Sequence, residues 1–214
     1  MDRAVVLELL AARVGALPRP ALVAVDGVDG AGKTTFADEL AGVLAARGAR
    51  VVRVGIDGFH RPRRERYARG RTSPQGYFLD SFDLDVFRRS VVEPVRSGSG
   101  PVRTAAFDHR TDAPVDGERV DVAGAVVLVD GVFLQRDELA GVWDLAVFLH
   151  AGFEASYARM SVRDGSPPDP EHPANRRYLE GQRLYLRACR PQERADVVID
   201  VTDVRAPEVV AGLG

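Results

Sequence analysis

One loop constrains this chain more than any other part of it. Gly27-Val28-Asp29-Gly30-Ala31-Gly32-Lys33-Thr34 follows an apolar run, Ala21-Leu22-Val23-Ala24-Val25. It precedes a segment with Phe36, Leu40, Val43 and Leu44 on one helical face, closed by Gly48. Strand, glycine loop and helix in that order is the context in which G-x-x-x-x-G-K-[ST] cradles phosphate. Lys33 is the only lysine among 214 residues, and arginine supplies the other 28 basic side chains. Arginine serves wherever a general positive charge suffices; lysine is kept where a compact ammonium on a flexible stem is needed. Backbone N–H groups of residues 28 to 33, aided by the positive end of the following helix, can wrap an anion. Gly27 and Gly32 allow conformations that a Cβ would obstruct. Lys33 is expected at the β,γ-phosphate bridge, Thr34 on Mg²⁺, and Thr35 as a further phosphate donor. Asp29, Gly30 and Ala31 complete the expected nucleotide-binding set. A nucleoside triphosphate with Mg²⁺ is what this loop implies.

Similar apolar runs recur at 50–56, 125–130, 144–149 and 196–201, with helical patterns at 2–16, 33–47, 83–96, 133–140, 153–163 and 175–188. Short, continuously apolar strands separated by crossovers predict an α/β fold. The expectation is a P-loop NTPase three-layer sandwich, with a central parallel sheet of about five strands and helices on both faces. The 214 residues suit a single domain. Residues 58–80, rich in Arg, Gly and Pro, and 164–174, rich in Pro and acids, read as loop-like insertions that could serve as lids or hold substrate. The single cysteine, Cys189, excludes an internal disulfide and a CxxC metal site. No stretch has the length of a membrane span, and the N-terminal apolar pattern is interrupted by Glu8 and Arg13. A cytoplasmic location is the expectation, with no membrane partner.

Ligands of parallel sheets bind beyond the carboxyl ends of the strands. Asp130 ends the run Val126-Val127-Leu128-Val129 and is placed to contact the magnesium shell; the alternative is a turn-forming Asp before Gly131. Asp57 ends the 50–56 run, where a carboxylate could take a proton from an attacking hydroxyl or bind Mg²⁺, or merely form an Asp-Gly turn. Arg61, Arg63, Arg64, Arg66, Arg69 and Arg71 crowd eleven residues. They read as a solvated loop, an anion-holding loop or a nucleic-acid patch, and the net charge of −2 disfavours the last. Arg159 and Arg163, four apart on one helix face, could neutralise a transferring phosphoryl group or simply cap the helix.

With these residues the chain resembles the uridine kinase family of P-loop kinases, whose wider group includes pantothenate kinase and phosphoribulokinase. The resemblance spans about residues 20 to 203. Gly27 to Thr35 matches the family's loop. Asp57-Gly58-Phe59-His60 resembles its Asp-Ser-Phe-Tyr segment, which makes Asp57 the implied base and His60 a pocket wall. Tyr77 to Phe87 resembles the ribose-holding stretch, with Asp80 or Asp83 as the implied contact. Phe107-Asp108-His109-Arg110 resembles the segment lining the nucleobase pocket. Asp130-Gly131-Val132 stands where Glu-Gly-Ile is usual, Arg159 to Asp164 resembles an arginine lid, and Ala195 to Ile199 matches the last strand. The chain departs from the family at Asp130, one methylene shorter than Glu, and at Phe107, which lacks a tyrosine hydroxyl. It departs also at His60, and at Asp112, near which a uracil-reading histidine is expected.

The resemblance implies ATP-dependent phosphorylation of a small hydroxyl-bearing metabolite. A nucleoside such as uridine or cytidine, giving the 5′-monophosphate, comes first. Pantothenate, another riboside, or a slowly hydrolysing nucleotide-sensing module are the alternatives. A GTPase is disfavoured because the guanine-reading Asn-Lys-x-Asp motif needs a second lysine. Nucleic acid is disfavoured as a partner, and self-association is left open.

Overall fold

The computed structural model describes residues 1–98 and 100–213. Among them, six strands form the main sheet: β1 (Ala21–Gly27), β2 (Val51–Gly55), β3 (Val126–Gly131), β4 (Leu145–His150), β5 (Val197–Asp200) and β6 (Glu208–Ala211). The order is β6-β5-β4-β1-β3-β2. β1 to β5 run parallel, and β6 pairs antiparallel with β5 at the edge. This is the expected α/β sandwich with one additional strand. Every residue of β1 is buried, as a strand covered on both faces requires. β1 lies between β3 and β4, so the chain leaves it toward β2 on one side and returns to fill the gap with β3. That reversal opens a crevice at the carboxyl ends of β1 and β3, where such sheets bind ligands.

The helices α1 (Arg3–Gly15), α2 (Lys33–Ala46), α3 (Pro74–Asp80), α4 (Phe153–Asp164) and α5 (Arg176–Cys189) surround the sheet. α1, α2, α4 and α5 fall where the apolar periodicity puts them. α3 does not: it lies inside the segment expected to be a loop. Its start signal is nevertheless present, since Ser73 accepts from the Gly76 N–H at 3.1 Å and Pro74 occupies the first turn. α3 packs on α5 at Gly181, where a Cβ would come within 2.6 Å of the Tyr77 ring.

Two further expectations need correction. Residues 83–96 are helical but not uniformly so: Leu84–Phe87 and Glu93–Ser97 flank a π-helical piece, Arg88–Val92. Pro94 has no N–H and its ring crowds the preceding turn, and the Glu93 N–H reaches back five residues to Arg88. The helix expected at 133–140 is absent except for a short 3₁₀ turn at Asp137–Leu139. Phe133 adopts a left-handed φ of 65°, which no helix accommodates. Its ring packs edge-on to Tyr77 and Tyr185 at 5.0 and 5.1 Å. Side-chain packing overrides the helical pattern there.

Candidate active site

A cleft of about 860 Å³ opens at the carboxyl ends of β1, β2 and β3. Its floor is the glycine loop with Asp57, Asp130 and Gly131 from the ends of the neighbouring strands. Gly30 and Gly32 hold left-handed φ values of 72° and 82°. A Cβ on Gly30 would stand 2.5 Å from the Ser156 carbonyl, so the loop rests directly on α4. The Lys33 ammonium donates to the Val28 carbonyl at 2.8 Å and thus already lies within the loop. The Thr34 hydroxyl donates to Asp130 Oδ2 at 2.7 Å. Asp130 Oδ1 accepts from Arg53 at 2.9 Å, and Arg53 also reaches Asp38 at 3.0 Å. A hydroxyl and a buried carboxylate in contact at a strand end, beside a glycine cradle on a helix N-terminus, fit a magnesium–nucleotide pair. Thr34 and Asp130 would hold the metal, with phosphate and water completing its oxygen shell.

Two acids support or flank the loop. Asp26 is fully buried in β1 and accepts from the Gly27 N–H at 2.8 Å and from the Tyr185 hydroxyl. Burial pushes its pKa up to about 6 against those hydrogen bonds. Asp29 accepts from the Tyr77 hydroxyl at 2.9 and 3.0 Å. Burial raises its pKa also, with Lys33 pulling the other way. Asp57 sits on the 3₁₀ turn Ile56–Phe59 just after β2, with 69% of its side chain exposed to the cleft. His60 Nδ1 lies 2.8 Å from the Asp57 carbonyl and 4.0 Å from its carboxylate. The His60 ring rests on Phe82 and His109, at 4.6 and 4.7 Å between centroids. Burial is the main cause holding His60 below the ordinary histidine pKa, against the pull of Asp57.

Of the residues singled out in the sequence, Asp29, Gly30, Lys33, Thr34, Asp57, His60, His109, Asp130 and Arg163 converge on this cleft. Gly27 supports it from below, since a Cβ there would meet the Leu149 carbonyl at 2.5 Å. Ala31 is buried in the loop, and Thr35 is exposed on α2 outside the lining. The two lid arginines part company. Arg163 lines the cleft and pairs with Asp164 at 2.7 Å. Arg159 turns behind the loop to the carbonyls of Gly30, Val201 and Thr202, at 3.2, 2.7 and 2.7 Å. Asp80 pairs with Arg69 at 2.8 Å, and Asp83 caps the Val86 N–H at 2.9 Å; neither lines the cleft. Phe107 is buried away from it, and Arg110 is exposed.

Sequence reasoning missed Arg53, Arg177, Tyr178 and Met160 as lining residues. Arg53 carried a legible signal, a lone charge within an apolar strand run ending in Asp57. Arg177 carried none in a chain so rich in arginine.

No protein-family model matches this sequence, and no curated protein matches it. Solved structures do. A possible uridine kinase from Bacillus stearothermophilus superposes with a TM-score of 0.70 at 24% identity, over 90% of this chain and 96% of that one. A candidate fructose transport system kinase from Silicibacter sp. gives 0.65 at 26% identity, over 91% and 95%. Phosphoribulokinase from Rhodobacter spheroides gives 0.58 at 17% identity, over 84% and 69%. The chain thus has the fold of the uridine kinase-like P-loop kinases.

Proposed function

We propose that the protein transfers the γ-phosphoryl group of Mg·ATP to the hydroxyl of a small metabolite. The observation that carries this reading is the meeting of two devices in one cleft. One is a phosphate cradle with Lys33 and the Thr34–Asp130 pair. The other is Asp57, an exposed carboxylate on the adjacent strand end. The kinase fold of the neighbours supports it.

In the proposed reaction the acceptor oxygen attacks the γ-phosphorus while the bond to the β,γ-bridging oxygen breaks. The hydroxyl proton passes to Asp57, and ADP leaves. Lys33 and the loop amides hold the phosphates in line. Thr34 and Asp130 are the residues that would hold Mg²⁺, which would supply neutralising charge for the phosphates. Arg163, at the rim, is free to turn from Asp164 onto the transferring group. Arg159 acts as a positioning residue, tying the loop to the end of β5. Residues 164–174, of which Asp164 and Ser166 line the cleft, would exclude water on closing. A nucleoside such as uridine or cytidine is the acceptor favoured by the family resemblance. His60 and His109 are the two of its expected contacts that meet in the cleft.

ADP release from Mg·ATP is the test, with uridine, cytidine, other ribosides, pantothenate and no acceptor. An acceptor-dependent rate that requires Asp57 supports the reading. A slow rate indifferent to every acceptor and to Asp57 would favour a nucleotide-sensing module.

A further inference from the structure

Beyond Asp57 the cleft continues into an end whose charge no step above uses. Arg66 and Arg177 line it and are buried, at 8% and 6% exposure. A buried guanidinium is costly unless its charge and its N–H groups are matched. Arg177 is held by neutral groups: it donates to the Ser73 and Arg66 carbonyls at 3.0 and 3.2 Å and lies over the Tyr67 ring at 4.8 Å. Among the described residues no acid forms an ion pair with it. Arg66 has one acid, Asp112 at 3.3 Å, whose same oxygen also accepts from the Arg63 N–H at 2.8 Å. The Arg66 Nε is buried with no acceptor at all. Arg63 adds a third guanidinium to the lining, whereas Asp112 is not part of it. His60 and His109, 4.7 Å apart between ring centroids, line the same cleft as Asp57 and these arginines.

We propose that the acceptor carries an oxyanion besides the hydroxyl to be phosphorylated. The oxyanion is a carboxylate or a phosphate ester, and Arg66 receives it, with Arg63 and Arg177 nearby. The inference rests on the kinase reading and narrows its acceptor to an anionic hydroxy-metabolite. A neutral nucleoside would leave Arg177 without a counter-charge and Arg66 with only the Asp112 oxygen that Arg63 shares. Specificity arises when the substrate completes buried polar groups that a rival leaves unpaired.

Two measurements test this. In the first, inorganic phosphate is titrated calorimetrically into protein saturated with Mg²⁺ and a non-hydrolysable ATP analogue, so that the glycine loop is already filled. One saturable phosphate site is expected. It should weaken at least tenfold in Arg66→Gln, weaken less in Arg66→Lys, and be unchanged in Arg64→Gln, whose side chain is 84% exposed and outside the cleft. No saturable site, or one indifferent to Arg66, would overturn the proposal.

In the second, ADP release is compared for acceptors with and without an anion: glycerate against glycerol, ribulose 5-phosphate against ribulose, and uridine. Preference for glycerate or for the sugar phosphate supports the proposal and tells carboxylate from phosphate ester. Faster turnover of uridine or of the neutral partners overturns it while leaving the kinase reading intact. Turnover of none of them counts against the kinase reading, and the phosphate titration then still decides the oxyanion site.

Discussion

The two ends of the cleft are built differently. At the nucleotide end the polar and charged groups are already partnered: Lys33 with Val28, Thr34 with Asp130, Asp130 with Arg53, Asp29 with Tyr77. The acceptor end is left unbalanced, with Arg66 short of an acceptor and Arg177 short of a counter-charge. A site that binds the same phosphates in every turnover can be organised in advance by its own fold. A site that must distinguish among small metabolites keeps a deficit for the right one to fill. The two ends should therefore fail in different ways.

The largest expected effect is at the nucleotide end. Lys33→Ala should lower kcat/KM for ATP by about 10²–10³-fold, the usual consequence of deleting one donor to developing charge. Circular dichroism should show the fold retained, because among the described residues the Lys33 ammonium hydrogen-bonds within its own loop, to Val28. Loss of fold would mean that the loop is not organised independently of its ligand.

Asp26, beneath that loop, makes the advance organisation visible as pH dependence. Its native pKa of about 6 lies above the value of 3.8 for an ordinary aspartate. The native state therefore holds the proton more tightly than the unfolded chain does. The stability contributed by Asp26 should be fully present below about pH 4, be lost as pH rises through the interval up to about 6, and then level off, by an amount on the order of 2–3 kcal/mol. Urea unfolding across that interval measures it. Asp26→Asn should flatten the slope, and a slope that persists would assign it to another group.

Arg53→Gln should be milder. It leaves Asp130 with Thr34 as its remaining side-chain partner and should cost about 1–3 kcal/mol of stability, with a raised requirement for Mg²⁺. The smallest effect sharpens the comparison at the other end. Arg64→Gln should change stability by less than about 0.5 kcal/mol and turnover not at all, two residues from Arg66.

How much of this could be read in advance follows the same division. The nucleotide end lies mostly in eight consecutive residues whose spacing is itself the signal, and Asp57 and Asp130 follow from the rule that strand ends bear ligands. The acceptor end draws on residues 63, 66, 67, 77, 109 and 177–178, which are distant in sequence and meet only in the fold, in part through α3 packing on α5. Six arginines between 61 and 71 looked equivalent in sequence, yet burial separates them: Arg66 is enclosed, Arg64 projects into solvent, and Arg69 is engaged by Asp80. Local pattern cannot show that division. Nor can it show that Phe133 prefers an aromatic cluster to a helix, or that Pro94 widens one.

Asp57→Asn tests the central claim most directly, because the amide keeps the shape of the side chain but takes up no proton. With an active acceptor, nucleotide binding by calorimetry and turnover by ADP release would be measured on the same preparation. The account predicts Mg·ATP affinity within about twofold of the parent and turnover lower by about 10²–10⁴-fold. Undiminished transfer by Asp57→Asn would contradict it.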